Sequence, residues 1–419
     1  MSLDRTIAPE IKKTESILFV APEKFSISEN VPLFWMKNVP NATSRIDFYF
    51  DAGTAKTTPI IPSLTAGLIF SGTEEKNATQ IHNELDDHGA YFDVGLTHES
   101  ALISFYALNS EMATILDIFE NAMEHSIFPQ HEIDELTSDR LQKFQINLEK
   151  VNFLAQRRFQ ELIFDNSVYG RLTEIADFEN IKREDILAFF NENYKNGLFK
   201  VVVVGDFEES FIQKIIHLSQ RWTLKREREF PQNFKNKSGR NSIEKEDALQ
   251  TALRVGKILF NKRHPDYHQF VILNTILGDY FGSRLMKNIR EDKGYTYGIG
   301  SYINELKGSG YFVIGAEVGK EVTEATLSEI QLEIKRLQTE LIPQEELDLV
   351  KNYLLGQTLK SADGPYAMTD LFLSVDTHGL SLNYFNQFLQ VLKNTTPEDL
   401  QKLAQRHLNW EDMTIVTSG

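Results

Sequence analysis

The two halves of this sequence match each other at a constant distance of 214 positions. Three separated pairs of positions, each inside similar local sequence, show this distance: Pro129 and Pro343, Glu184 and Glu398, and Gly205 and Gly419. A constant distance over separated segments is hard to obtain by chance, and it is much longer than the unit of about 20–50 residues that builds a solenoid. The sequence therefore predicts a tandem duplication, with two similar domains in one chain.

Each half contains the same series of predicted strands and helices. Alternating or continuous apolar runs predict the strands, and a proline before a long periodic run predicts a helix start. In the first half the expected strands are 44–52, 101–108 and 200–205, and the expected helices are 62–70, 111–125, a longer one from Pro129, and 183–194. This mixture favours an α+β fold of two homologous tandem domains, each a mostly antiparallel sheet packed with helices.

A polar segment separates the two halves. It contains the charged run Lys-Arg-Glu-Arg-Glu at 225–229, Pro231 and the polar run 233–242, with almost no apolar periodicity. Such composition is typical of a solvated linker. We therefore predict an N-terminal domain at 1–225, a linker at 226–245 and a C-terminal domain at 246–419.

Composition and charge disfavour several classes of partner and site. The formal net charge of −16 disfavours nucleic acid and anionic membrane surfaces as partners, since both require a basic face. The absence of cysteine removes thiol nucleophiles, disulfides and thiolate metal sites, and it fits a reducing compartment. The sequence begins with a polar, charged segment instead of a secretory signal, and no run of about 18 apolar residues predicts a transmembrane helix. We expect a cytoplasmic protein with no nucleic-acid or membrane partner.

The segment from Ile289 to Tyr297 carries the strongest chemical signal. It places Arg290 near the end of a predicted helix and Tyr297 in a run, 295–301, that alternates like a strand after Gly294. A guanidinium offers a rigid fork of donors to a peptide carbonyl, and a nearby phenol adds another donor. Together they could hold a substrate backbone and stabilise negative charge on a scissile carbonyl. The alternative is an exposed Arg290 in a helical charge pattern and a Tyr297 that only packs.

Several histidines have spacings close to those of metal sites. His264 and His268 share the i, i+4 spacing of helical zinc ligands, but the Pro-Asp between them predicts a helix start. His131 begins a segment similar to H-E-x-x-H that ends in Glu135, and the segment that ends at His125 lacks a first ligand. A surface or capping role is the better interpretation for each. We predict no metal site and no bound cofactor in this chain.

Both halves resemble the insulinase/pitrilysin (inverzincin) family of zinc peptidases. The likeness runs from about Phe48 to Gly419. It includes Gly-Leu-Ile-Phe-Ser-Gly-Thr-Glu-Glu-Lys at 67–76, and Ser-Arg-Leu followed by Ile-Arg-Glu-Asp-Lys-Gly within 283–294. In this family the motif H-x-x-E-H on an early helix places two histidines on one face to bind zinc, and its glutamate is the general base.

The residues that this zinc site requires are missing here. None of the residues at the five motif positions has an imidazole or a carboxylate; they are Ser63, Leu64, Thr65, Ala66 and Gly67. The expected third ligand falls near Gln142-Lys143-Phe144, where no carboxylate stands. Zinc hydrolysis by this chain alone is therefore not expected.

The resemblance implies a role for the chain within a larger enzyme. It is most similar to the short, mitochondrial-processing-peptidase-like members, in which one subunit binds zinc and the other supplies an Arg/Tyr pair. By position, Arg290 and Tyr297 match that pair. The implied partner is a homologous zinc-bearing peptidase subunit, and the implied substrates are unfolded or extended peptides. Two alternatives remain open: a structural or interaction protein, and a peptide-binding homodimer without a proteolytic role.

Overall fold

The structure is a computed structural model in which residues 17–40, 42–165, 167–232 and 234–419 are described. The segment for which we predicted no secretory signal, residues 1–16, lies outside the described residues. The described strands are β1 Glu23–Ser28, β2 Val31–Met36, β3 Thr43–Phe50, β4 Tyr91–Leu96, β5 Ala101–Leu108, β6 Leu198–Val204, β7 Gly239–Ile243, β8 Gln250–Leu259, β9 Ile299–Glu305, β10 Gly310–Gly319 and β11 Thr414–Ser418.

The described α-helices are interspersed with the strands in both halves of the chain. They are α1 Ile60–Leu68, α2 Ala78–Asp87, α3 Met112–His125, α4 Gln130–Leu148, α5 Val151–Phe164, α6 Ile175–Glu179, α7 Arg183–Asn193, α8 Glu209–Ser219, α9 Tyr267–Leu277, α10 Thr323–Thr339, α11 Gln344–Ser361, α12 Gly364–Asp376, α13 Asn383–Asn394 and α14 Pro397–His407. Among these helices, none is both long and apolar enough to cross a membrane.

The strands form two sheets, one for each half of the repeat. The first has the strand order β1-β2-β6-β3-β5-β4, and the second has the order β7-β11-β8-β10-β9. The β2–β6 and β7–β11 pairs are parallel, and the other pairs of the described strands are antiparallel. This architecture confirms the predicted α+β fold with two tandem, mostly antiparallel sheets.

Each sheet buries one face beneath helices of its own half. Along β3 the alternate residues Ile46, Phe48 and Phe50 are fully buried, as the two-residue period of a strand requires. Phe48 packs against Phe119 of α3 and against Trp222, with ring centroids 4.6 and 6.4 Å apart. A second core of the same kind lies between the second sheet and helices α9, α10, α11 and α14.

Each half also sends one helix across to the outer face of the other sheet. α5 lies on β8 and β11, where Phe159 shares a buried cluster with Val416. The equivalent helix of the second half, α12, lies on the first sheet, where Met368 shares a cluster with Val202. A Cβ atom at Gly256 of β8 would come within 2.1 Å of the Phe312 carbonyl oxygen on β10 and within 2.9 Å of the Phe159 ring, so both the neighbouring strand and α5 depend on glycine there. This exchange holds the two halves together through apolar burial on both sides.

The segment 226–245, predicted to be a solvated linker, is attached to both halves. Arg226 and Arg228 bind the carboxylate of the buried Asp51 at 3.0 and 3.1 Å. Gly239–Ile243 forms the edge strand β7 beside β11. The polar residues of the segment thus form ion pairs and an edge strand, which need no apolar periodicity. The assignment of 226–245 as a linker and the domain boundaries stay predictions.

Candidate functional site

Arg290 lies in a π-helix, Met286–Asp292, in the second half. The wide helical turn shows in the bond from the Lys293 N–H to the Asn288 carbonyl, which spans five residues at 3.1 Å. The Asn288 side chain anchors this helix to α10 by donating to Glu329 at 3.0 Å and to Glu333 at 2.6 Å. π-Helices are rare and concentrate at functional sites.

The Arg290 side chain is half-buried and lies against an exposed aromatic ring. Its Cζ atom is 4.7 Å from the ring centre of Phe281, which is itself 65% exposed. A cation over an aromatic face is held by attraction to the ring's negative surface. Within the described part of the chain, no carboxylate lies within the 4.0 Å limit of an ion pair with Arg290. The guanidinium is thus positioned by packing while its donors stay available.

Tyr297 lies in a short segment that precedes the edge strand β9. The predicted strand 295–301 begins later than expected, at Ile299. The reason is local: the Thr296 hydroxyl donates to the Glu317 carbonyl at 2.7 Å and accepts the Gly298 N–H at 3.1 Å, which replaces strand pairing by a side-chain turn. The Tyr297 side chain is 95% exposed.

The structure brings the two backbone segments together, although the two side chains have different neighbours. The Tyr295 N–H donates to the Ile289 carbonyl at 3.0 Å, which joins the segment of Tyr297 to the helix of Arg290. Arg290 packs on Phe281, whereas Tyr297 lines a separate trough. Among the described residues, no hydrogen bond or cation-π contact joins the Arg290 and Tyr297 side chains.

The trough lined by Tyr297 has a volume of about 740 Å³. It lies on the outer face of the second sheet, beside the N-terminal part of α5. Strands β8, β9 and β10 form its floor, and its polar residues include Arg254, Tyr302 and Glu317. The open edge of β9 forms one side, so an extended peptide could lie along it.

The five positions of the missing zinc motif lie on α1, where the cationic side chain of Arg140 packs against the two histidine positions. Ser63 and Gly67, four positions apart, stand where the two histidines of the motif would stand. The guanidinium of Arg140, from α4, donates from Nη1 to the Ser63 hydroxyl. A Cβ atom at Gly67 would come within 2.7 Å of Arg140 Nη2. Because a guanidinium stays protonated and repels a metal cation, these residues do not fit zinc.

The expected third-ligand position also lacks ligand chemistry. Phe144 is buried between the rings of Phe153 and Phe178, at centroid distances of 5.9 and 5.5 Å, while Gln142 and Lys143 are exposed on α4. Across the described residues, no group of three or more histidine or acidic side chains is arranged to bind a metal ion. Arg140 was not singled out from the sequence, although it stands only two positions before this segment.

The histidine pair at the start of α9 faces two different surroundings. The His264 ring stacks on Phe260 at 4.1 Å, and its Nδ1 accepts the Asp266 N–H at 3.1 Å in the turn before the helix. The His268 ring packs on Tyr384 at 4.3 Å, and burial lowers the pKa of His268 to about 4. Both residues therefore contribute packing contacts, and His264 also contributes a hydrogen bond within the turn.

Replacing His268 with phenylalanine is expected to reduce the loss of thermal stability on acidification. The folded pKa of His268 lies near 4, below its ordinary value of 6.5, so the unfolded chain binds more protons between these pH values. Stability from the neutral ring is therefore present above pH 6.5 and is lost as the pH falls through this window. Melting temperatures at pH 7 and pH 5 measure the effect. The exposed control His131→Phe should lose as much stability as the wild type; equal losses in all three proteins would contradict the assignment.

Two family models match successive parts of the chain. Residues 34–168 match the model described as insulinase (peptidase family M16), and residues 180–354 match the model described as the peptidase M16 inactive domain. The chain belongs to the insulinase (M16) peptidase family. This confirms the resemblance inferred from the sequence motifs.

Relatives of this M16 protein include chains named as proteases and a chain named as a non-peptidase. An uncharacterized zinc protease of Rickettsia felis is 25% identical over 303 residues, covering 71% of this chain and 72% of the relative. A non-peptidase homolog of Helicobacter pylori is 20% identical over 363 residues, covering 85% and 83%. The crystal structure of a peptidase M16 inactive domain from Pseudomonas fluorescens superposes with a TM-score of 0.86 at 23% identity, covering 96% and 98%, which supports the fold.

Proposed function

We propose that this M16 protein is the zinc-free subunit of a heterodimeric zinc endopeptidase, to which it contributes Arg290 and Tyr297. The observation that carries the proposal is the 95% exposure of the Tyr297 side chain, on a segment hydrogen-bonded to the helix of a half-buried Arg290 that has no carboxylate partner among the described residues. An exposed tyrosine and an arginine with free donors are available to a ligand, and tyrosine and arginine are both enriched at binding interfaces.

The chemistry of the two groups suits an extended peptide. The Arg290 guanidinium would donate to one backbone carbonyl of the substrate, and the Tyr297 hydroxyl would donate to another carbonyl of the same peptide. Donors fixed before the substrate arrives stabilise negative charge that develops on the carbonyl oxygen. The π-helix and the Phe281 ring hold Arg290 in advance, which is the arrangement that such stabilisation needs.

The other half of the reaction would come from the partner. In this chain the Arg140 guanidinium lies against Ser63 and Gly67 and does not suit a metal ion, so we assign water activation to a homologous subunit that bears H-x-x-E-H and zinc. The match of residues 180–354 to the inactive domain supports a non-catalytic member of the family. The name of the Helicobacter pylori relative, a non-peptidase homolog, points the same way.

The proposal is tested by reconstitution with an H-x-x-E-H homologue from the same genome. Metal analysis should find no stoichiometric zinc in the purified chain, and a library of fluorogenic peptides should stay uncleaved by it. Adding the homologue should restore cleavage beyond the activity of that homologue alone. Stable association without cleavage would favour the structural alternative, and peptide binding by a homodimer without association would favour the peptide-binding alternative.

A further inference from the structure

The trough beside α5 contains an arginine whose equivalent in the first half is neutralised by carboxylates. Arg45 on β3 stands opposite Tyr106 of β5, and Arg254 on β8 stands opposite Gly315 of β10. Both arginines face the helix that crosses from the other half. Arg45 lies 2.8 Å from Asp370 of α12, and Arg254 lies 3.0 Å from Gln156 of α5. Gln156 and Asp370 are equivalent positions of the repeat, 214 residues apart.

The partners of the two guanidinium groups differ in charge. Arg45 also lies 3.1 Å from Asp47, so two carboxylates surround it. Arg254 Nε donates to the Gln156 side chain, Nη1 to the Leu253 carbonyl at 2.8 Å, and Nη2 to the Asn152 side chain. Within the described residues, no carboxylate lies within 4.0 Å of Arg254. These three bonds use three of its five N–H groups and leave one on each terminal nitrogen.

Paired glycines open the floor of the trough beneath this arginine. In the first half, Tyr106 pairs with Tyr91, and their rings cover the sheet at a centroid distance of 5.8 Å. In the second half the same two register positions hold Gly315 and Gly300. The Arg254 side chain lies over Gly315, where a Cβ atom would come within 3.4 Å of its Nη1.

Tyr302 of β9 lies over the second glycine. A Cβ atom at Gly300 would come within 2.6 Å of the Tyr302 hydroxyl, so this hydroxyl rests on the glycine floor. Tyr302 is 52% exposed and lines the same trough as Arg254 and Tyr297. Burial lowers the pKa of Arg254, and Glu317 and Tyr302 oppose that shift, which reflects their closeness to the guanidinium. The acidic Glu317 also lines the trough, where it accepts a hydrogen bond from the Asn152 side chain.

We propose that Arg254 and Tyr302 form a subsite for a carboxylate of an extended peptide lying along the edge of β9. The guanidinium supplies a two-pronged, charged donor, and the phenol supplies a third donor above the glycine floor. The carboxylate could be an aspartate or glutamate side chain, or the C-terminus of the peptide. This inference rests on the proposed function only in taking an extended peptide as the ligand.

The test is fluorescence anisotropy of labelled 12-residue peptides with the purified full-length chain alone. One pair of peptides carries glutamate or glutamine at a central position with an amidated C-terminus. A second pair has no acidic side chain and ends in a free acid or an amide. In the pair that carries the kind of carboxylate recognised by the subsite, the peptide with the carboxylate is expected to bind about tenfold more tightly than its uncharged counterpart. A hydrogen bond to a charged group contributes a free energy of that size.

Variants assign this preference to the subsite. Arg254→Met should abolish it, and Tyr302→Phe, at a half-exposed position where folding is not at risk, should reduce it about threefold through loss of one hydrogen bond. Arg240→Met, which removes an exposed arginine bound to Glu324, should leave it intact. The subsite is overturned if the wild type binds none of the peptides or shows no preference for the carboxylate. It is also overturned if Tyr302→Phe and Arg254→Met both keep the full preference. Because the partner is absent from this assay, the reconstituted cleavage remains a separate test of the proposed function.

Discussion

Replacing Arg290 with alanine is expected to lower the kcat of the reconstituted heterodimer about 100-fold. Loss of one preorganised donor to a developing oxyanion costs about 10²–10³ in kcat in enzymes where it has been removed. Arg290 can be deleted without a large stability cost, because its side chain is half-buried and its aromatic neighbour Phe281 is itself exposed. Steady-state kinetics with a fluorogenic peptide, at fixed zinc content of the partner, measure the effect.

Tyr297→Phe should lower kcat less, since it removes one neutral donor and leaves the ring. Arg263→Ala is the matched control, because Arg263 is an exposed arginine of the same domain near the start of α9. It should leave both kcat and KM unchanged. A rise in KM at constant kcat for Arg290→Ala would show that Arg290 contributes only uniform binding of the substrate. Unchanged kinetics in both Arg290→Ala and Tyr297→Phe would remove the proposed role of the pair.

Much of the local fold followed from periodicity and end signals. The strand at Ala101–Leu108 and the helix at Met112–His125 lie where alternation and helical spacing predicted them. The helix after Pro129 begins at Gln130, and Pro129 occupies the cap position as expected of a proline at a helix start. The strand Ala101–Leu108 and the helix Met112–His125 each bury an apolar face, so their sequence pattern and their tertiary surroundings agree.

The arrangement between the halves was not predictable in the same way. α5 and α12 are amphipathic, but nothing in their periodicity states that each lies on the sheet of the other half. The site shows the same limit. Thr296 delays the start of the predicted strand partly through a bond to Glu317 on another strand, and Arg140 reaches Ser63 across 77 positions. Such contacts depend on tertiary distance, which a single sequence does not encode in any local pattern.

A second large effect is expected from Asp51, which holds the segment between the domains. Its carboxylate is 2% exposed and meets Lys56 at 2.6 Å, Arg226 at 3.0 Å and Arg228 at 3.1 Å. Arg228 is also packed on Phe199, with its Cζ 3.7 Å from the ring centre. Asp51→Asn keeps the volume but removes the charge that neutralises three cations. Because Lys56 and Arg226 are partly exposed, we expect a loss near the low end of the range for breaking a buried pair, about 3 kcal/mol of unfolding free energy.

Urea unfolding followed by tryptophan fluorescence, to which the buried Trp35 and Trp222 contribute, measures this loss. Limited proteolysis within residues 225–238 reports whether the segment is released. The control is Asp117→Asn, the same substitution in an exposed ion pair with Lys214 of similar length, 2.7 Å. Exposed pairs contribute about 0–1 kcal/mol, so the control should shift the urea midpoint little. Equal midpoints for the two variants, with the segment still protected from protease, would show that the three cations are stabilised without Asp51. A large shift confined to Asp51→Asn would establish that a segment resembling a linker is fixed to the N-terminal domain by one buried charge.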